Sequence, residues 1–133
     1  MSRSAIYVAN TSTGNALASG STYAPSTIIR RFGGNCQMAN NGVNVSGAGY
    51  YSVDVTVTVV ATAVGTVTAT LYQDGKAIVG ATATEQAAAI GDVVTLPLTA
   101  LVRLNCECQE STITVGMGTT VTSSNLAMKV ERI

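Results

Sequence analysis

One stretch of the chain, GYYSVDVTVTVVATAVGTVTATL at residues 49–71, alternates apolar and hydroxyl side chains almost without a break. Successive side chains of a β-strand point to opposite faces of the sheet, so a period of two is typical of a strand with one buried face. The pattern predicts an all-β sandwich or barrel. The predicted inward residues are Tyr51, Val53, Val55, Val57 and Val59, and the predicted outward residues are Ser52, Asp54, Thr56 and Thr58.

Turn signals divide the rest of the chain into further strands. Asn41-Gly42 and Asp74-Gly75 are dipeptides favoured in tight hairpins, because both residues tolerate positive φ. Pro97 removes a backbone donor, so we expect its strand to bend there or to lie at a sheet edge. The predicted strands cover residues 5–9, 28–32, 36–39, 43–46, 50–62, 66–73, 77–84, 93–98, 100–104, 112–117 and 126–133.

Charged residues are scarce in this chain. They make up 11% of its 133 residues, seven basic and seven acidic, whereas about 25% is typical. A zero net charge gives little protection against association, so we predict that part of the surface is buried in an assembly. The balanced charge argues against a nucleic-acid partner, which needs a clustered positive field.

The sequence offers little catalytic chemistry. It contains no histidine, which excludes the usual serine and cysteine triads. Its carboxylates are scattered, so neither a glycosidase pair nor a metal-binding cluster is indicated. We predict a protein without enzymatic activity, cofactor or metal site. Neither a secretory signal nor a membrane-length apolar stretch is visible, so we expect synthesis in the cytoplasm and no membrane contact.

Three cysteines, Cys36, Cys106 and Cys108, form a possible thiol cluster. Cys106 and Cys108 would share one face of a strand, where a bridge between them would be strained. Cys36 would pair with either of them if their strands are adjacent. Free thiols are the default in a reducing compartment. A disulfide and metal binding remain the alternatives.

Several segments, in their order along about two-thirds of the chain, resemble the TNF-like jelly-roll family, which includes the globular heads of complement proteins. They are GYYSVDVTVTV (49–59), LYQDGKAIVG (71–80), AIGDVVTLPL (89–98) and NLAMKVERI (125–133). IIRRFGGNC (28–36), GYY (49–51), QDG (73–75) and the V-R-x-x-C-x-C stretch (102–108) resemble short bacterial and bacteriophage versions. The chain lacks the aromatic F-x-G-F-L-type strand of the animal members, so the resemblance does not extend to receptor-type or immune-type ligand binding.

The resemblance implies a sandwich of about ten antiparallel strands that forms a tight homotrimer. In this reading residues 1–24 are an extended arm with the first strand, and residues 25–133 are the jelly-roll domain, within a single domain overall. The arm would anchor the chain through Ile6, Tyr7, Val8 and Tyr23. The residues expected in the core or at the threefold contact are Tyr50, Tyr51, Val53, Val55, Val57, Tyr72, Leu126 and Met128.

The leading functional hypothesis is a non-enzymatic structural protein of a bacteriophage virion, of the capsid-decoration or head-fibre type. Its expected partners are two further copies of itself and other virion proteins. One alternative is a TNF-like module of a bacterial cell or spore surface. Another is an adhesin that binds host-surface glycans through its tip loops.

Overall fold

The computed structural model describes residues 4–133, and strands are the only regular structure within that range. Eleven strands follow one another along the chain: β1 (Ala5–Asn10), β2 (Ala16–Leu17), β3 (Thr27–Phe32), β4 (Cys36–Ala39), β5 (Gly42–Ser46), β6 (Gly49–Ala61), β7 (Gly65–Gln73), β8 (Lys76–Ala87), β9 (Val93–Leu104), β10 (Glu110–Met117) and β11 (Val121–Arg132). The all-β prediction is confirmed.

The strands form two antiparallel sheets. Sheet 1 has the order β3-β1-β11-β6-β9, and the short strand β2 also pairs with β11. Sheet 2 has the order β4-β5-β10-β7-β8. Most neighbours within a sheet are distant in sequence, and β7–β8 and β4–β5 are the pairs of consecutive strands. Long connections that cross between two stacked sheets are typical of a jelly roll.

The core fills the space between the two sheets. The inward phase of β6, predicted from the alternation, is buried from Tyr51 to Val59. The inward phases of β7, β10 and β11 are buried as well, including Leu71, Val115 and Leu126. Each of these side chains loses nearly all contact with water within one copy of the chain. Burial of a Val or Leu side chain contributes roughly 1.5–3 kcal/mol, so the sandwich carries its own core.

Several strands differ from the sequence prediction, and two of these differences have a clear structural cause. β9 runs unbroken through Pro97, and it lies at the edge of sheet 1 with β6 as its strand partner. An edge strand has one row of backbone groups that need no partner in the sheet, so proline is accommodated without a bend. The strand β2 was not predicted, because two residues that pair with Val121 and Thr122 show no period of their own.

The front segment is part of the sandwich. β1 lies between β3 and β11 in sheet 1, and Ile6 and Val8 are core residues. The residues after β1 are held by backbone hydrogen bonds, among them Gly20 N–H to Met117 O (2.8 Å) and Tyr23 N–H to Val115 O (2.8 Å). After β1, the front segment is a loop that is hydrogen-bonded along the sandwich.

Candidate self-association surface

Sheet 1 presents an outer face with several uncovered apolar side chains. β6 directs its hydroxyl and carboxylate phase outwards, as predicted, but the neighbouring strands contribute larger apolar groups. Phe32 and Leu101 are each 59% exposed, and Tyr7 is 39% exposed. Tyr50 and Val93 share this face and are also exposed. These residues lie on strands of one sheet and share its outer face.

Strand register shows how this surface is organised. Phe32 pairs with Ala5, Ala5 with Glu131, Glu131 with Ser52, and Ser52 with Leu101. The sheet therefore places Phe32 and Leu101 at opposite ends of one row that crosses all five strands. Directly paired residues of antiparallel strands lie on the same face. Phe32 at one end of the row and Leu101 at the other therefore both point outwards.

The next row across the face is polar. It runs from Arg30 through Tyr7, Lys129 and Asp54 to Thr99. Lys129 Nζ lies 3.7 Å from Asp54 Oδ2, and both side chains are about half exposed. Thr99 Oγ1 also donates to Asp54 Oδ1 at 3.2 Å. A half-exposed ion pair contributes at most about 1 kcal/mol to folding stability. This row therefore contributes little to the stability of the fold.

The residues predicted for the core or threefold contact divide into two groups. Tyr51, Val53, Val55, Val57, Leu126 and Met128 are buried inside a single copy of the sandwich. They are therefore core residues of the single chain and are unavailable to a neighbouring copy. Tyr50 lies on the outer face of sheet 1, while Tyr72 is half-buried on the outer face of sheet 2.

Phe32, Val93 and Leu101 were missed by the sequence prediction of the contact surface. The detectable signal is an apolar residue in the outward phase of an otherwise alternating strand. In VVTLPLTALVRL (93–104) both Val93 and Leu101 occupy that phase. Among the residues proposed for anchoring, Tyr7 is the one that points outwards, since Ile6, Val8 and Tyr23 are buried.

The thiol cluster is not formed. Cys106 and Cys108 are joined by a disulfide, with a Cα–Cα distance of 5.4 Å, and Cys36 is a buried free cysteine. The default of free thiols is therefore corrected for two of the three residues. The objection to a bridge between Cys106 and Cys108 assumed strand geometry, but both lie in the turn between β9 and β10, where the backbone brings their side chains together.

A polar network closes the same end of the sandwich as this disulfide. Arg132 reaches the carbonyl oxygen of Ala48 and lies 3.9 Å from Glu107, the residue between the two bridged cysteines. Asn35 donates to Ser46 O at 2.6 Å and accepts from Ser4 Oγ at 2.8 Å. These contacts connect residues 4 and 132 with the β3–β4, β5–β6 and β9–β10 loops. Hydrogen bonds therefore close this end of the core.

Two buried groups next to this network have altered acidity. Burial raises the pKa of the Cys36 thiol to about 11, while the guanidinium groups of Arg31 and Arg132 oppose the shift. Burial also raises the pKa of Tyr51, whose hydroxyl lies 2.6 Å from Ser46 O. Both groups are therefore neutral at physiological pH, and Cys36 is a weak nucleophile.

The outer face of sheet 2 is different in composition. Thr66, Thr68 and Thr70 on β7 are paired with Gln86, Thr84 and Thr82 on β8. The hydroxyl groups of Thr70 and Thr82 lie 3.1 Å apart, and Thr66 donates to Gln86 at 2.7 Å. Side chains that bond to one another across β7 and β8 form a polar, hydrated part of this face.

Neither a metal-binding cluster nor a membrane-spanning helix is found among residues 4–133. Within residues 4–133, no group of three or more histidine, cysteine, aspartate or glutamate side chains is placed to hold a metal ion. That part of the chain also contains no helix of the length and apolar character needed to span a membrane.

Comparison with solved structures identifies the architecture. The chain is similar to the PRD1 vertex protein P5, with a TM-score of 0.68, 13% identity and coverage of 98% of this chain and 96% of that one. It is similar to Eiger TNF from S. frugiperda, with a TM-score of 0.70, 13% identity and coverage of 98% and 91%. The chain has the TNF-like jelly-roll fold.

A third similar structure extends the comparison to complement. The globular domain of the zebrafish complement 1qA protein gives a TM-score of 0.66 at 9% identity, over 97% of this chain and 95% of that one. No protein-family model matches the sequence, and no curated protein matches it either. The fold resemblance drawn from short sequence motifs is therefore confirmed by three-dimensional structure.

Proposed function

We propose that the chain is a non-enzymatic structural protein of a bacteriophage virion, which acts as a homotrimeric capsid-decoration or head-fibre module. The observation that carries the proposal is the similarity to the PRD1 vertex protein P5, which spans nearly the full length of both chains. A similarity at 13% identity shows the fold. The exposed residues of the chain give the further support for the proposed role.

Self-association is supported by the contrast between a closed core and an open face. The core needs no second copy, because its side chains are already buried. Phe32, Leu101 and Tyr7 nevertheless remain exposed on the outer face of sheet 1. Exposed apolar side chains that share one face of a domain often form part of an interaction site. The scarcity of charge over the whole chain favours association in the same way.

A mainly structural role agrees with the chemistry of the site. The outer face of sheet 1 holds Lys129, Asp54 and Thr99 within contact of one another. The Lys129–Asp54 pair is about half exposed, so it lies open to water. A general acid or base needs a pKa tuned to its task and a water-excluding cleft. The face has the features of a contact surface instead.

Two measurements test the proposal. Sedimentation equilibrium or native mass spectrometry of the purified chain gives its subunit number, for which we expect three. Mass spectrometry and immunogold electron microscopy of purified phage particles test the location, for which we expect the chain on the particle surface.

A folded single-copy protein at micromolar concentration would contradict the assembly. Labelling of bacterial cells or spores in the absence of particles would contradict the virion assignment and support a cell-surface module instead. The two results are independent, so each part of the proposal can fail by itself.

A further inference from the structure

A hollow on the outer face of sheet 2 combines an aromatic ring with hydroxyl groups. Tyr72 of β7 lines it, together with Thr114, which is its partner on β10. Residues 20–22 form another part of the wall. The hollow has a volume of about 260 Å³, which is slightly below the range of about 300–1,000 Å³ for drug-sized ligands. It is therefore large enough for one ring-sized ligand.

The position of the aromatic ring depends on a glycine. Tyr72 lies diagonally across from Gly116, and a Cβ atom at residue 116 would overlap the ring at Cε1. The opposite wall is fixed as well, because Thr22 forms an isolated bridge with Gly116 and Gly20 N–H donates to Met117 O at 2.8 Å. The hollow is thus preformed, which reduces the entropic cost of binding.

The hollow is neutral and has both polar and apolar lining. None of the described residues that line it is charged, and the nearby Asp74 and Lys76 line a separate depression beyond the hairpin turn. An aromatic ring packs against the C–H face of a sugar, while a hydroxyl group such as that of Thr114 both donates and accepts hydrogen bonds. From this combination we infer that the hollow binds a neutral pyranose unit of an oligosaccharide.

The location makes this inference independent of the proposed function. The hollow opens on sheet 2, whereas the proposed association surface is the outer face of sheet 1. A sugar bound beside Tyr72 is therefore compatible with the assembled or the single-copy protein. Subunit number and sugar binding are to be measured on the same samples, so that failure of one is not read as failure of the other.

The test begins with an immobilised array of neutral oligosaccharides built from glucose, galactose, mannose and N-acetylglucosamine. Each bound oligosaccharide is then titrated into ¹⁵N-labelled wild-type protein. We expect amide shifts confined to residues 20–22, 72, 114 and 116. Tyr72→Ala is expected to weaken binding at least roughly tenfold, because the stacking surface is removed. Thr84→Ala, on the same face but outside the hollow, is the control and is expected to bind like the wild type.

Three results would overturn the inference. They are the absence of binding to every neutral oligosaccharide on the array, amide shifts that map outside the hollow, and unchanged affinity in a folded Tyr72→Ala protein. If circular dichroism shows that Tyr72→Ala does not fold, the wild-type shift map decides alone. A preference for anionic sugars, with shifts at Lys76 or Arg103, counts against the neutral hollow.

Discussion

The two outer faces of the sandwich are made from strands with the same alternating pattern, yet the side chains that they expose differ. Sheet 2 carries threonines that bond to one another across β7 and β8, as Thr70 and Thr82 do. Sheet 1 carries Phe32 and Leu101, both more than half exposed. The inward phase of each strand builds the core, and the outward phase is free to vary. The side chains that can contact other molecules are therefore those of the outward phase.

The difference between the faces also separates two kinds of aromatic residue. Tyr72 on sheet 2 packs over Gly116 of its own chain. Tyr7 and Tyr50 on sheet 1 remain exposed, although Arg103 lies over the Tyr50 ring at 5.6 Å from its centroid. An aromatic ring over a glycine stabilises a sheet from within. Exposed rings at a face with other apolar groups contribute most when a partner covers them.

The largest expected effect is on assembly. Leu101→Asp places a charge on the β9 edge of the proposed contact, and burying an unpaired carboxylate there is expected to weaken subunit association by roughly a hundredfold or more. Thr84→Asp introduces the same charge on the outer face of sheet 2 and is expected to leave the subunit number unchanged. Sedimentation equilibrium distinguishes the two variants. The reverse result would transfer the association surface to sheet 2.

The second prediction concerns stability on sheet 2. Gly116→Ala forces the Tyr72 ring out of its position, and overpacking of this kind is expected to lower the free energy of unfolding by about 1–3 kcal/mol. Gly34→Ala is the matched control, because a Cβ atom there meets no heavy atom within 4 Å. Urea denaturation measures both. Equal effects in the two variants would show that the Tyr72–Gly116 contact does not hold the face together.

The third prediction uses pH to test the core that carries both faces. The pKa of Cys36 is raised to about 11 by burial, so the folded state favours the neutral thiol. Its contribution to stability is complete below the pKa of an exposed thiol, about 8.5, and is lost as pH rises through about 11. The free energy of unfolding is expected to fall less steeply with alkaline pH in Cys36→Ala than in the wild type.

Part of the alkaline loss should remain in that variant. Burial also raises the pKa of Tyr23 and of Tyr51, so both phenols favour the folded state while neutral. Chemical denaturation between pH 8 and 11, without reductant, gives the two slopes, and identical slopes would indicate that Cys36 is accessible to water.

The smallest expected effect is that of the ion pair on sheet 1. Asp54→Asn removes the charge facing Lys129, and because both groups are about half exposed, the change in the free energy of unfolding is expected to be below about 1 kcal/mol. Glu110→Gln, a carboxylate at the start of β10 in sheet 2, is the control. A much larger effect of Asp54→Asn in the associated protein would show that assembly removes the pair from water.

Much of the architecture followed from residue pattern alone. Side chains of β6 alternate so regularly that its buried residues were predicted one by one, because a shift of one residue would turn every apolar group towards water. Motifs such as QDG (73–75) fixed the hairpin between β7 and β8, since Asp74 and Gly75 both adopt positive φ there. These are local requirements, and local sequence is enough to state them.

The assignment of each strand to a sheet was harder to predict from the sequence. Alternation shows that Tyr50 and Tyr72 have outward phases, but it gives no indication that one lies on sheet 1 and the other on sheet 2. The Cys106–Cys108 bridge was expected to be strained for a different reason, because the two residues were taken to lie on a strand and not in the turn between β9 and β10. Strand order is a property of contacts between distant segments.

The sequence by itself determined which side of each strand becomes dry, because burial of apolar groups depends on a period that any stretch of chain displays. Only the tertiary structure decided which outward residues are neighbours. It gathers Phe32, Leu101 and Tyr7 on one face and Tyr72, Gly116 and Thr22 on the other. The physical reason is that backbone pairing between strands far apart in sequence sets these distances, and no local pattern records the partner.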